Sequence, residues 1–94
     1  MSGRRHLRPV VVVQGGAVAM ARSGVGLPVV LDLDEHPADR FAVKADDRDL
    51  GATEDLAEAL ELAERALPAR RVELELLDGA GSVLAVRVLY GREK

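Results

Sequence analysis

Residues 29–44 read VVLDLDEHPADRFAVK, and the shape of the domain turns on whether the two apolar runs in this stretch pair with each other. Between them lie Asp32, Asp34, Glu35, His36 and Asp39. His36-Pro37 disfavours helix, because a residue before proline is pushed out of the α region. Along a strand, side chains alternate between faces. Val29, Leu31 and Leu33 then share one face, and Asp32, Asp34 and His36 share the other. On the second run Phe41, Val43 and Ala45 point inward, leaving Arg40 and Lys44 outward. The expectation is a hairpin with a solvated acidic end. Asp34 would face Arg40, or Asp32 would face Lys44, at about 0.2–1 kcal/mol a pair.

The same side chains admit a second reading, with Asp32, Asp34 and His36 forming a small-molecule or divalent-metal site. Alternate residues of a strand stand roughly 7 Å apart, which is wide for sharing one ion. His6 is the one other histidine, and the chain has no cysteine. Structural zinc nearly always takes four ligands. The hairpin reading is preferred, and no cofactor is expected.

Working outward, PVVVVQ at residues 9–14 is β-branched and ends at Gly15-Gly16, a dipeptide suited to a two-residue hairpin turn. AVAMARS, residues 17–23, is the return strand. DDRDLGA, residues 46–52, reads as a loop. Thr53 is the expected helix N-cap, followed by Glu54 and Asp55 at the positive helix end. Leu56, Leu60, Ala63 and Leu67 recur on one helix face, widened by Ala59 and Ala66, and Pro68 stops the helix. Two strands follow, residues 71–78 and 82–90, joined by Gly79-Ala80-Gly81. Pairing Asp78 with Ser82 sets Leu76 against Leu84, Leu74 against Val86 and Val72 against Val88 on the core face, with Glu73 against Arg87 outside. The order is β-β-β-β-α-β-β. That predicts an α+β fold, an antiparallel sheet of about six strands with one helix packed on one face.

The 94 residues make one domain over 9–90, with a basic N-terminal tail at 1–8 and a C-terminal tail at 91–94. Phe41 and Tyr90 are the only aromatics, so Val, Leu and Ala must build the core. Arginine, alanine and glycine abound while Lys44 and Lys94 are the only lysines, a bias of high-GC bacterial genomes. No apolar run reaches the roughly 20 residues of a membrane span, and the apolar run after the basic head is too short for a signal peptide. The reading is cytoplasmic, with no membrane partner. Residues 1–31 carry four arginines and no acid, whereas residues 32–67 carry 12 acids against 4 bases. An acidic middle does not suit nucleic acid but does suit a protein with a basic surface.

Motifs for chemistry are missing. The calcium-loop pattern fails at residues 46–51, which hold Arg48 and Leu50 where oxygen ligands are needed. Gly24-Val25-Gly26 leads to Pro28 and a strand rather than to a phosphate-binding helix N-terminus. Ser2, Ser23 and Ser82 lie in a tail and in turns, with no histidine near in sequence. The first hairpin is unusual in being apolar on both faces, and one helix cannot cover both. Either the sheet curls over to cover the second face itself, or another copy of the chain does; the second is preferred, with Val10, Val11, Val12, Val13, Val18 and Met20 as the expected homodimer interface. The functional expectation is a non-enzymatic protein-interaction module: an adaptor, regulator or inhibitor of a partner protein.

Overall fold

Gly15 and Gly16 take φ of 62° and 77°, a left-handed pair that glycine adopts more readily than any other residue. They close the first hairpin between β1 (Val10–Gln14) and β2 (Ala17–Arg22). The computed structural model describes residues 6–91, so Met1–Arg5 of the basic tail and residues 92–94 lie outside the described residues. Leu7 is fully buried, and the Arg8 amide donates to the Leu89 carbonyl.

The remaining elements are β3 (Val29–Asp32), β4 (Arg40–Ala45), β5 (Arg48–Thr53), α1 (Leu56–Arg65), β6 (Val72–Leu77) and β7 (Val83–Tyr90). The fold is α+β with one helix and mostly antiparallel pairing. It is built from two sheets, ordered β2-β1-β3 and β5-β4-β6-β7, rather than one sheet of six strands. The expected hairpin at residues 29–44 does not form. β3 runs parallel to β1, with Val12 beside Leu31, while β4 joins the other sheet beside β5 and β6. Alternation fixes which face a strand buries, and that part holds: Val29, Leu31, Phe41, Val43 and Ala45 are all buried. It does not fix the neighbour. Neither of the alternative cross-strand ion pairs, Asp34 with Arg40 or Asp32 with Lys44, forms, and Lys44 meets Glu75 of β6 at 3.8 Å.

Residues 46–52 are no loop. Asp46 and Asp47, at φ of 51° and 70°, form a two-residue turn that returns the chain as β5. Aspartate is among the few residues that tolerate this conformation. The helix cap also moves from Thr53 to Asp55, whose carboxylate accepts the Ala57 amide. Thr53 instead accepts the Asp55 amide and donates to Glu58. Helix burial follows the pattern, through Ala59, Leu60 and Ala63.

The last hairpin closes as expected, with Asp78 N–H donating to Ser82, but its register slips. An irregularity between Leu76 and Leu77 leaves Leu84 unopposed, so Leu76 faces Ala85 and Leu74 faces Arg87. A bulge moves every following side chain to the opposite face. Arg87 therefore turns to the inner side, and Glu73 lies opposite Val88 and pairs with Arg71 at 2.6 Å. A second irregularity leaves Leu89 unopposed and fully buried.

One core results. The inner face of the four-stranded sheet presents Phe41, Val43, Val72, Leu74 and Leu76. The helix covers part of it with Ala59, Leu60 and Ala63, and the three-stranded sheet contributes Val10, Val29 and Leu31. The crossover from β2 to β3 passes close over the chain at residues 7–9. A Cβ on Gly24 would lie 2.8 Å from the Leu7 carbonyl oxygen. Leu74→Ala is expected to cost about 2–5 kcal/mol of stability. Val25→Ala, at a side chain 85% exposed, should stay within about 0.5 kcal/mol. Urea denaturation measures both, and equal losses would contradict this placement of the core.

Candidate interaction surface

The two sheets turn different outer faces to solvent. On the four-stranded sheet the outer face is mixed: Lys44 meets Glu75 and Arg71 meets Glu73, beside the exposed Val86 of β7. On the three-stranded sheet, register pairs Val11 with Met20 and Val13 with Val18, and sets Val30 beside Val11. Since Val10, Leu31 and Val29 face the core and Val12 packs against it, these five residues share the opposite face. Val18 is 68% exposed, Met20 63% and Val30 46%. Among the described residues no element covers them. An apolar face of Val and Met standing in water across all three strands of one sheet is the surface feature that asks for a partner.

The expected interface residues therefore divide. Val11, Val13, Val18 and Met20 come together outside, whereas Val10 is fully buried and Val12 packs on the core. Val30 belongs to the exposed group and escapes the sequence reading, which sets its strand beside β4. Only the β1–β3 pairing reveals it.

Asp32, Asp34 and His36 are not brought together as ligands. Asp32 accepts the amides of Asp34 and Glu35 through one carboxylate oxygen, and its carbonyl accepts the His36 amide. Asp34 reaches back to the first hairpin, where its two oxygens accept the Gly15 amide at 2.7 Å and the Gly16 amide at 3.0 Å. His36 Nδ1 is enclosed without a hydrogen-bond partner. No group of three or more His, Asp or Glu side chains among the described residues is placed to hold a metal ion. The Asp34 contact spans 19 residues of sequence, so no local motif could announce it.

The borders of this surface are polar. At the end of β2, Arg22 pairs with Glu64 of the helix and donates to the carbonyls of Leu7 and Ser23. On the β3 side a cleft of about 340 Å³ opens toward β7, lined by Arg8, Val30, Asp32, Glu35, Arg87 and Val88 among others. Arg87 spans it to the Val30 carbonyl, and Arg8 donates to the carbonyls of Leu27 and Val88. No helix of the described residues is long and apolar enough to cross a membrane. No family model matches the chain, and searches of curated proteins and of solved structures found no match.

Hydrogen bonds from the Gly15 and Gly16 amides hold the Asp34 carboxyl below its ordinary value of 3.8, because they favour the charged form. A carboxyl lowered by folding contributes stability that is complete above 3.8 and is lost as pH falls through the lower, folded value. Asp34→Asn should remove this share of acid sensitivity and speed amide exchange at Gly15 and Gly16 at neutral pH. Unchanged exchange at both glycines would show that the clamp does not hold the turn in solution.

Proposed function

We propose that this chain is a non-enzymatic protein-interaction module, an adaptor, regulator or inhibitor of a partner protein, that associates with itself through the Val-rich first hairpin. The observation that supports the reading is the uncovered outer face of Val11, Val13, Val18, Met20 and Val30. Fully burying one such side chain contributes about 1.5–3 kcal/mol before the costs of association are met. A stable interface needs roughly 800 Å² per partner, so neighbouring residues must take part beyond these five. A two-fold dimer uses one patch twice and requires it to be self-complementary. An uncharged patch meets that condition without placing like charges together.

The acidic middle supports a second contact, with a basic protein surface. Glu54, Asp55, Glu58 and Glu61 are exposed at the start and along the outside of the helix. Glu61 meets Arg65 at 3.9 Å, and both are largely exposed, so that pair adds little. Surface charge of one sign mainly speeds encounter and selects among partners.

Light scattering behind a sizing column, across a concentration series, tests self-association: the expected mass is twice that of one chain. Val18→Asp should give a folded monomer, because position 18 is solvent-exposed in the single chain. Val12→Asp should instead impair folding, since it carries a carboxylate to the core side. A parent chain that is monomeric at every concentration would remove the self-association reading.

A further inference from the structure

The described residues form two sheets with four edges between them, of which three are closed or guarded. The β3 and β7 edges face each other, bridged by the Arg8 and Arg87 guanidinium groups and by the Arg8 amide on Leu89. The β5 edge carries Arg48 and Asp49, is interrupted by a register shift at Leu50, and lies beside the helix. Natural sheets guard their edges with such charges, bulges and covers. Over Ala17–Met20 the β2 edge has none of them: four uncharged residues, all exposed, with no proline, and the strand's own irregularity falls only beyond them, at Ala21.

Its backbone also has a definite pattern. The residues flanking a two-residue turn form a hydrogen-bonded pair, and such pairs alternate along an antiparallel ladder. Gln14 with Ala17 and Val12 with Ala19 are then bonded inward. Val18 and Met20 turn their N–H and C=O groups to the open edge.

We propose that β2 pairs antiparallel with β2 of a second copy, about a two-fold axis passing beside Ala19. This rests on the self-association reading above and specifies its geometry. In this register Val18 of each copy lies opposite Met20 of the other as a hydrogen-bonded pair, so all four outward groups of each strand are satisfied. Ala19 lies opposite Ala19 as a non-bonded pair, where Cα atoms approach to about 4.5 Å and a methyl group fits. Sliding by two residues centres the axis on Val18 or Met20 and carries pairs off the strand into the glycine turn or the bulged Arg22 end. Charge favours the same register. Arg22 of each copy comes opposite Gly16 of the other, whose amide is held by the Asp34 carboxylate, and no like charges meet. The product is one six-stranded sheet, β3-β1-β2-β2-β1-β3, in which Val18 of each copy packs beside Met20 of the other and the two apolar outer faces join into one.

Because the chain has no cysteine, Ala19→Cys in the full-length protein reads this geometry directly. Disulfides bridge Cα atoms about 4.4–6.8 Å apart, so mild oxidation should convert Ala19→Cys to a covalent dimer. Ala17→Cys, whose counterpart is Ala21 of the other copy, should crosslink far less. A second measurement uses charge: Ala19→Glu and Ala19→Lys should each be monomeric alone and form a mixed dimer when combined. If the parent self-associates but position 19 crosslinks no better than position 17 and the charged variants do not complement, the edge register is wrong while self-association stands. If the parent stays monomeric throughout, both readings fall together.

Discussion

The inner face of the four-stranded sheet has to be covered along its length, and the ten-residue helix, roughly 15 Å long at 1.5 Å per residue, cannot do it alone. Everything distinctive in the structure follows from that shortfall. The three-stranded sheet serves as the second cover, giving Val10, Val29 and Leu31 to the core that Phe41, Val43, Leu74 and Leu76 require. A covering sheet uses one face. The other face of β1, β2 and β3 is left outward, and here it is made of Val and Met rather than of charged residues.

That division explains what the sequence made legible. Alternation identified the buried residues of β3, β4 and β6, and helical spacing identified Ala59, Leu60 and Ala63, because both periods are local. Strand partnership is not local. Nothing between residues 29 and 44 distinguishes a hairpin from a passage between sheets, since the inward residues are the same in both. The strand at Arg48–Thr53 was hidden by its composition: Asp46-Asp47 reads as solvated loop, yet aspartate is also a residue that a left-handed turn accepts. In the last hairpin the pattern VxLxL was right and its register wrong. A single unopposed residue, Leu84, is enough to send Arg87 to the inner side and Val86 to the outer. The apolar character of the first hairpin was plain from Val10–Val13. Which of those valines meet solvent depended on the β1–β3 pairing, and so did the membership of Val30.

The polar contacts show the same economy of position. Arginine side chains close the seam where the sheets approach, donating to strand carbonyls that have no strand beside them. The Asp34 carboxylate occupies the tip of the first hairpin and ties it to the segment entering the second sheet. Such contacts satisfy main-chain groups that strand pairing leaves over. Against that care the bare edge of β2 stands out.

The first hairpin also has a place in time. Its turn is local, so it can close within microseconds, whereas its core face is met only after residues 72–90 have been made. At ~5–20 residues per second, synthesis holds these events several seconds apart. During that interval Val10 and Val12 are as open to water as Val18 and Met20, on a two-stranded ribbon too small to be stable by itself. The hairpin is therefore made before the strands that cover its core face. Until then the two faces of the ribbon are alike to water, and only the arrival of the four-stranded sheet makes one of them the inside.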